Sequence, residues 1–354
     1  MRAYVNRIAT AVPPNDIHQA FAAYAEGLLP DFRQRRLFRR MAERSQIDQR
    51  WSCLRAADPG ANMALDTEGF YRPGAFPSTA QRMRLFEAKA PDLAIQALDG
   101  LELGERASKI THLIITCCTG FAAPGLDLQI AARLGLNPSV ERTIVGFMGC
   151  YAAISALKLS RHIVRSEPKA QVLVVSLELC TLHLQETENI EQALTFLVFG
   201  DGCAAALITA EPQGLSLDSF HAEVAQDSQE QITWNIRDQG FDMFLSGQVP
   251  TSIGRALKTG QSKILDGDEP EAIDMWAVHP GGRTVLDAVE IAYALPPKAL
   301  AASREVLSRF GNMSSATVLF VLKALMQGPT EGRRGCALAF GPGLTAETML
   351  FSGV

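Results

Sequence analysis

The sequence has 354 residues, of which 47% are hydrophobic and 20% are charged, so it can bury a large core as two domains or one large α/β unit. Its formal net charge of −5 argues against a nucleic-acid-binding surface, which needs an excess of basic residues. No apolar run approaches the ~20 residues that span a bilayer, and residues 1–8 lack the apolar core of a signal peptide. We therefore expect a soluble protein without a transmembrane segment.

The seven cysteines bear on the compartment and on metal binding. They contain no CxxC pair, no zinc-ligand spacing and no even-numbered disulfide framework, and they lie at positions 53, 117, 118, 150, 180, 203 and 336. The simplest interpretation is a reduced, cytoplasmic protein without a metal site.

The N-terminal pattern predicts a strand over residues 1–12 and a helix over residues 17–26. A second helical segment over residues 31–50 contains seven arginines. Arg36, Arg40 and Arg44 follow one another at intervals of four and share one face, while apolar residues share another. This arginine row is either an ordinary solvated face or a site for a polyphosphate, and we keep both interpretations open.

The middle of the chain alternates between strand and helix patterns. Residues 54–78 are rich in proline, glycine and aspartate and predict a surface loop. Thr79 is expected to cap a helix over residues 80–89, and Pro91 to start a second helix. Buried strands are predicted over residues 111–116, 171–178 and 203–209, a short helix over residues 127–134, and a turn at residues 200–202. The alternation indicates an α/β fold with buried sheets.

The second half of the chain repeats the first. A strand over residues 274–278 leads to Gly282, which lies 162 positions after Gly120. Asn312 lies 162 positions after Cys150 and also stands at a predicted helix start. We therefore predict two duplicated halves, 1–212 and 223–354, with a boundary near residues 211–222.

Cys150 is the strongest candidate nucleophile in the sequence. It follows a β-branched run, is flanked by Gly149, and opens a helical pattern. A thiol at the positive end of a helix favours the thiolate and any oxyanion formed there. The competing interpretation is a small buried hydrophobic residue, as most lone cysteines are.

A cysteine nucleophile needs a base or a cation nearby. Of the six histidines, only His279 stands at the end of a buried strand and before Pro280-Gly281-Gly282, where side chains project into a crevice. Asn312 could be a simple helix cap, but an amide beside an imidazole is also a good pair of oxyanion donors.

Four stretches resemble the motifs of type III polyketide synthases, the chalcone and stilbene synthase family, and the match covers essentially the whole chain. They are Gly-Phe-Met-Gly-Cys-Tyr-Ala-Ala around Cys150, Val-His-Pro-Gly-Gly around His279, Phe-Gly-Asn-Met-Ser-Ser-Ala around Asn312, and Phe-Gly-Pro-Gly-Leu-Thr over residues 340–345. The resemblance implies a thiolase-like five-layered αβαβα fold, a homodimer, and a catalytic triad of Cys150, His279 and Asn312. It also implies an acyl-CoA starter and malonyl-CoA as substrates, with no further cofactor and no metal.

The resemblance assigns roles to further residues. Phe199 aligns with the aromatic residue between the coenzyme A tunnel and the cavity. Arg40 and Arg44 match basic positions that bind coenzyme A phosphates, while Leu37 stands at a third such position, where Arg36 could compensate. Gly341, Pro342 and Gly343 form the family's structural loop.

Departures from the plant pattern concern the cavity. Met243 stands at the second gatekeeper position, and Cys118 and Cys180 replace hydroxyl residues of the cavity wall, which also holds Thr119 and His183. The segments around Cys180 and Met243 are similar to bacterial synthases that make alkylresorcinols and alkylpyrones from fatty acyl starters.

Three other functions compete with this one. A ketoacyl synthase of fatty-acid initiation has the same fold and triad chemistry, but it would carry His-Gln-Ala-Asn where this chain has His279-Pro280-Gly281-Gly282. A thiol hydrolase would use Cys150 and His279 without malonyl-CoA. A non-catalytic dimeric scaffold would not need an intact triad.

Overall fold

The computed structural model describes residues 1–57 and 64–354. Strands and helices alternate along them. The strands are β1 (Tyr4–Ala11), β2 (Asn15–Asp16), β3 (Trp51–Ser52), β4 (His112–Cys117), β5 (Glu141–Gly146), β6 (Val172–Leu179), β7 (Asp201–Thr209), β8 (Leu215–Val224), β9 (Ile232–Arg237), β10 (Gly240–Leu245), β11 (Met275–Val278), β12 (Arg334–Gly341) and β13 (Thr345–Gly353). The helices are α1 (His18–Leu28), α2 (Phe32–Glu43), α3 (Thr79–Asp99), α4 (Leu126–Leu134), α5 (Ala152–Ser166), α6 (Ile190–Ala193), α7 (Thr195–Val198), α8 (Val249–Ile264), α9 (Arg283–Ala292), α10 (Ala301–Phe310) and α11 (Thr317–Met326).

The main sheet has nine strands in the order β11-β12-β13-β8-β1-β7-β6-β4-β5. In the first half, β5, β4 and β6 are parallel, and β7 and β1 follow in antiparallel pairing. The second half repeats this pattern, because β11 and β12 are parallel and β13 and β8 follow in antiparallel pairing. The two halves join through β1 and β8, which pair only at Tyr4–Ser216 and Val5–Leu215.

Helices cover the sheet in layers. The helices α5 and α11 contact strands of both halves and form the central layer. The outer face of the first half carries α3 and α4, and α8, α9 and α10 cover the outer side of the second half. Three apolar clusters fill the spaces between these layers. The structure thus confirms the predicted five-layered α/β fold.

The inner strands β4, β6 and β7 are buried on both faces, as expected between helix layers. In β4, Leu113 and Ile115 belong to the outer cluster of the first half, while Ile114 belongs to the central cluster. This alternation follows from the two-residue period of a strand. Among the described residues, no helix is both long and apolar enough to cross a bilayer.

The proposed division into 1–212 and 223–354 stays a prediction. The strand β8 lies across its gap, since it begins at Leu215 and ends at Val224. In the duplicated pattern β8 corresponds to β1, because each pairs with the last strand of its own half.

Two sequence predictions on α3 are wrong. Ser78, not Thr79, is the N-cap, and it forms a capping box with Gln81. Pro91 does not start a new helix but lies inside α3. A proline removes one backbone hydrogen bond from a helix, yet α3 continues because buried residues on both sides of it, including Phe86 and Leu98, hold it against the sheet.

Other elements also differ from the prediction. The helix predicted over residues 31–50 ends at Glu43, and the chain then carries Arg50 into the interior, where it is fully buried. The expected surface loop over residues 54–78 holds the fully buried Tyr71, while its residues 58–63 lie outside the described part. Asp201 and Gly202 belong to β7 rather than to a turn, because they pair with Leu179 and Glu178 of β6.

Candidate active site

Cys150, His279 and Asn312 line one cavity of about 380 Å³. All three residues are buried, with exposed fractions of 8%, 1% and 2%. They come from different parts of the chain: Cys150 from the segment after β5, His279 from the end of β11, and Asn312 from the segment between α10 and α11. The duplicated fold therefore brings together three residues that the sequence separates.

Cys150 lies in a 3-10 turn, Gly149–Tyr151, that leads directly into α5. The turn needs glycine at position 149 because its φ is +76° and a Cβ there would lie 2.2 Å from Cδ of Pro342. Gly341 has a similar role, since a Cβ there would lie 2.7 Å from the Tyr151 ring. The loop at residues 341–343 thus lies against the turn that carries Cys150. Gly341 and Pro342 line the cavity, whereas Gly343 does not contact it.

His279 is fixed by its backbone and free at its side chain. Its amide donates to the carbonyl of Leu338 over 2.8 Å, which holds it beside the end of β12. Neither ring nitrogen has a hydrogen-bond partner among the described residues. Burial lowers the pKa of His279 to about 3, so the imidazole is neutral near pH 7. A neutral imidazole in this cavity can accept one proton and donate another.

Asn312 is held by both its backbone and its side chain. Its amide donates to the carbonyl of Val198 over 2.8 Å, and its carbonyl accepts from the amide of Gly200 over 3.0 Å. The side-chain nitrogen donates to the carbonyl of Gly281 over 3.3 Å, and the side-chain oxygen accepts from the amide of Ser314 over 2.8 Å. Asn312 therefore does cap a backbone amide, and it also presents its NH₂ group beside the segment that carries His279.

Arg50 supports this arrangement through the backbone of Phe199, a residue of the cavity wall. Its guanidinium group donates to the carbonyl of Phe199 over 2.6 Å and to His18 Nδ1 over 2.9 Å. Gly311, with φ of +67°, packs against the Arg50 side chain so closely that a Cβ there would lie 2.9 Å from Cγ. Arg50 could not be recognised from the sequence, because an arginine in a basic segment gives no sign of being buried.

The thiol of Cys150 is neutral on its own. Burial raises its pKa to about 11, while hydrogen bonds from the Ser314 and Asn312 side chains lower it and the charge of Glu178 raises it. The expectation that the helix start favours the thiolate therefore competes with burial, and burial is the larger effect. Since burial disfavours both a lone thiolate and a lone imidazolium, the two charges are most readily formed together, by proton transfer within the cavity.

Glu178 organises the wall behind Cys150. Its carboxylate accepts from the amide of Cys118 over 2.9 Å, from Thr119 Oγ1 over 2.8 Å and from Ser315 Oγ over 2.6 Å. Burial raises its pKa to about 7, although these hydrogen bonds lower it. The amide of Gly149 points at Cys118 Sγ over 3.0 Å, which links the wall to the turn of Cys150.

The residues expected in the cavity wall also come together in the structure. Those that line the same cavity as the triad are Phe199, Met243, Cys118, Thr119, Cys180 and His183. Both nitrogens of His183 are occupied, because Nε2 bonds the carbonyl of Thr119 over 2.6 Å and Nδ1 accepts from the amide of Phe241 over 3.0 Å. His183 therefore shapes the wall and has no nitrogen free for substrate chemistry.

Trp234 is a wall residue that the sequence analysis missed. Its indole N–H donates to the carbonyl of Cys118 over 2.8 Å, and its ring meets the His183 ring edge-on at 5.5 Å. It pairs with Met243 across the hairpin of β9 and β10, so both side chains line the cavity from one face. Only the strand register shows that Trp234 lies beside Met243 in the cavity wall.

The arginine row lies next to the cavity rather than inside it. Met41 of α2 lines the cavity, whereas Arg36, Arg40 and Arg44 are exposed and do not line it. Across the described residues, the guanidinium groups of these three arginines have no hydrogen-bond or ion-pair partner in the protein, which leaves them available to an anion outside the cavity.

Two family models match the chain. The model described as "Chalcone and stilbene synthases, N-terminal domain" matches residues 2–212, and the corresponding C-terminal domain matches residues 216–354.

Individual relatives agree with these models. The "Alpha-pyrone synthesis polyketide synthase-like Pks18" of Mycobacterium tuberculosis is 34% identical over 99% of this chain and 91% of its own length. The bisdemethoxycurcumin synthase of Oryza sativa subsp. japonica is 34% identical over 77% of this chain and 74% of its own.

Solved structures give the same result. The C-terminal type III polyketide synthase domain of Steely1 from Dictyostelium superposes with a TM-score of 0.91 and 25% identity over the full length of both chains. PKS-I from the brown alga Ectocarpus siliculosus has a TM-score of 0.84 and 28% identity over 100% of this chain and 98% of its own. These likenesses confirm the thiolase-like fold class.

Proposed function

The chain belongs to the chalcone and stilbene synthase family of type III polyketide synthases, and we propose that it extends a fatty acyl-CoA starter with malonyl-CoA to an alkylresorcinol or alkylpyrone. Members of this family are acyltransferases that join acyl units by condensation. The observation that carries the proposal is a single buried cavity that holds Cys150, His279 and Asn312 beside an arginine-rich helix. The match to both family models separates the chain from the ketoacyl synthases of fatty-acid initiation.

In the loading step, Cys150 is the nucleophile and His279 is the base. The thiol gives its proton to the neutral imidazole as sulfur attacks the starter thioester carbonyl. The tetrahedral intermediate collapses, the bond to coenzyme A sulfur breaks, and the imidazolium returns the proton to the leaving thiolate. The acyl group is then a thioester of Cys150, and free coenzyme A leaves.

In the extension step, His279 and Asn312 stabilise an enolate. Malonyl-CoA loses carbon dioxide, and the electron pair of the broken C–C bond becomes the enolate of acetyl-CoA. The N–H groups of the imidazole and the Asn312 amide are donors in a buried cavity, where such hydrogen bonds are strong. The enolate carbon attacks the acyl-Cys150 thioester, and the Cys150 thiolate departs from a chain that is two carbons longer.

A fatty starter is supported by the cavity wall and by one relative. The wall beyond Cys180 is apolar, and its members include Leu184, Val198 and Ile253. Each buried methylene contributes about 0.8 kcal/mol of transfer free energy, which favours long starters in such a wall. The relative from Mycobacterium tuberculosis is named for α-pyrone synthesis, which supports a pyrone product.

The decisive experiment incubates the purified enzyme with labelled malonyl-CoA and a series of acyl-CoA starters, with products identified by mass. We expect polyketide products whose yield rises with starter length. Cys150→Ala should lose both product and covalent acyl-enzyme. Release of free fatty acid without consumption of malonyl-CoA would instead identify a thiol hydrolase, and acyl label on Cys117, Cys118 or Cys180 of the variant would overturn the assignment of Cys150.

Cys180→Phe tests the passage for the acyl chain. The larger side chain should suppress kcat/KM for long starters, while short starters still react because the triad is untouched. Equal loss for short and long starters would show that Cys180 does not line the path of the chain.

Arg40 and Arg44, with Arg36, are proposed to bind the phosphates of coenzyme A. Their exposed and unpaired guanidinium groups support this role, as does the position of Met41 of the same helix at the cavity.

A homodimer is proposed through the free edge of the sheet at β5. An exposed edge strand with apolar side chains is a surface that proteins normally cover. Phe121, Leu128 and Ile144 are exposed by 39%, 44% and 46% beside this edge. Ile144→Lys should halve the mass in analytical ultracentrifugation, whereas Ile291→Lys at another exposed site should not. Equal masses for wild type and Ile144→Lys would contradict this interface.

Members of the family generally act without a cofactor, and we propose the same for this chain, beyond its thioester substrates. Activity should survive dialysis against EDTA. A loss of activity that is reversed by adding Zn²⁺ or Mg²⁺ would refute this.

The proposed location is the cytoplasm, because all seven cysteines are free in the structure. Cell fractionation that finds the protein outside this compartment would contradict it.

A further inference from the structure

The exposed face of α2 combines two kinds of side chain in adjacent rows. Residues four apart stack on a helix surface, so each row follows from spacing alone. The first row is Phe32, Arg36, Arg40 and Arg44, and the neighbouring row is Arg33, Leu37 and Met41. The opposite side of the helix is anchored by Phe38, which is 1% exposed. We call the two rows together the docking face.

The apolar members of the docking face are unusually exposed. Phe32 is 74% exposed, Leu37 50% and Met41 40%. Their arginine neighbours are exposed as well, and within residues 1–57 and 64–354 the guanidinium groups of Arg33 and Arg36 have no hydrogen-bond or ion-pair partner. The face is strongly basic in a chain whose net charge is −5, so the positive charge is local.

One end of the docking face borders the active-site cavity. Met41, near the end of α2, lines that cavity, and Phe32 stands at the start of the helix. The C-terminal part of the face, with Arg40 and Arg44, is the part proposed to bind coenzyme A. The N-terminal part, with Phe32, Arg33 and Leu37, remains free for another partner.

We propose that the docking face binds the surface of a lipid bilayer that contains anionic lipids. Apolar side chains beside arginines are typical of helices that lie in the interface plane, where the apolar groups enter the headgroup region and the cations contact lipid phosphates. Charge complementarity thus favours an anionic bilayer over an uncharged one. This inference rests on the proposed fatty starter. If α2 lies on a bilayer, the neighbouring cavity places a long acyl chain or an alkylated product next to lipid.

The test is co-sedimentation of the full-length enzyme with vesicles. Vesicles of phosphatidylcholine with about one quarter phosphatidylglycerol are compared with pure phosphatidylcholine vesicles, at low and at high salt. The apolar part is tested with the double variant Phe32→Ser/Leu37→Ser, and Ile291→Ser is its control, since Ile291 is 74% exposed at another surface. The charged part is tested with Arg33→Gln, and Arg84→Gln, an exposed arginine of α3, is its control.

We expect the wild type and both controls to bind the anionic vesicles, and high salt to weaken the binding. The double variant should bind at least about tenfold more weakly, because two apolar groups no longer enter the interface. The single variant Phe32→Ser, which alters no position assigned to coenzyme A, should keep the kcat/KM of the wild type for a short acyl-CoA in vesicle-free solution. Equal binding to both kinds of vesicle, binding to neither, or unchanged binding by the double variant would overturn the proposal. The assay with short acyl-CoA also measures the synthase activity independently, so failure of the proposed function is recognised separately.

Discussion

At the scale of single residues, two fully buried arginines hold the walls of the cavity that contains Cys150. Arg50 and Arg82 are 0% exposed, and no carboxylate among the described residues forms an ion pair with either. Both donate to backbone carbonyls instead: Arg50 to Phe199, and Arg82 to Leu182 and Leu184 on either side of His183. Burying a charge in this way is unfavourable unless the guanidinium group is well bonded, so each arginine fixes the segment it contacts.

Arg50→Lys is expected to lower kcat more than it changes KM. A lysine cannot reproduce both donors of the guanidinium fork, and loss of one charge-assisted hydrogen bond costs about 1.5–3 kcal/mol. The segments of Phe199 and Gly311 should then shift, and with them Asn312. We expect kcat to fall about tenfold or more, with KM for malonyl-CoA within about twofold.

Arg82→Lys is the matched control for Arg50→Lys, because it is equally buried but contacts neither Phe199 nor Gly311. It should reduce thermal stability to a similar extent while keeping most of kcat with a short starter. If kcat fell in both variants in proportion to stability, Arg50 would have only a general structural role.

His279→Ala is expected to reduce the reactivity of Cys150 towards iodoacetamide. Burial is the main reason why the pKa of Cys150 is raised to about 11, so the thiol needs a proton acceptor in the cavity. Without the imidazole, we expect the alkylation rate at pH 7 to fall by about tenfold or more and to recover as pH rises. Alkylation of position 150 is followed by mass spectrometry, and an unchanged rate in His279→Ala would show that another group accepts the proton.

The sequence could predict that Cys150, His279 and Asn312 share one cavity, but not all of the residues that surround them. Cys150, His279 and Asn312 stand in local patterns that survive without the fold, namely glycines, a strand end and a helix start. Arg50 and Trp234 have no such pattern, because their roles depend on burial and on strand register. The ionisation of Cys150 was also beyond the sequence, since a helix start is visible there while the extent of burial is not.

At the scale of elements, α2 has one residue in the cavity wall, Met41, and an exposed arginine row outside the cavity. Its N-terminal cap is Asp31, whose side chain accepts from the amide of Arg33, and its buried side rests on Phe38. Sequence periodicity identified its arginine row correctly. It placed the helix end too late, because the following segment contains helix-compatible residues but turns inward to bury Arg50. Tertiary burial, not helix propensity, decides this boundary.

Arg40→Ala is expected to raise KM for both thioesters about tenfold or more, because the proposed charge-assisted contact to phosphate is lost. The product profile should stay the same, since Arg40 does not line the cavity. Arg84→Ala is the control, as it removes an exposed arginine from α3 instead of α2. A changed product profile with unchanged KM would contradict the assignment to coenzyme A.

At the scale of the whole molecule, duplication explains why the site is central. The strands of each half pair in the same order, and α5 and α11 each contact strands of both halves. Cys150 precedes α5 and Asn312 precedes α11, so equivalent helix starts face one cavity. The 162-residue offset in the sequence predicted that Cys150 and Asn312 stand at equivalent helix starts. It could not show that the two halves share only two residue pairs of β1 and β8.

Buried ionisable groups make the stability of the molecule depend on pH in two opposite directions. Burial lowers the pKa of His18 to about 4 and that of His183 and His279 to about 3. Their stabilising contribution is therefore full above the unfolded value of about 6.5 and is lost as pH falls towards the folded values. Glu178 and Asp201 act in the opposite direction, because burial raises their pKa to about 7 and about 6, and their contribution is lost as pH rises.

The variant His183→Gln isolates the contribution of one histidine to the pH dependence of stability. In the wild type, protonation of His183 would set an N–H against the amide N–H of Phe241, so acid must break that contact. Between pH 6.5 and 4 we expect the unfolding free energy of the variant to fall less steeply than that of the wild type, by about 1 kcal/mol per pH unit. The exposed His162→Gln is the control and should follow the wild type. Urea unfolding at several pH values measures these slopes, and parallel curves for wild type and His183→Gln would mean that His183 does not carry this part of the acid sensitivity.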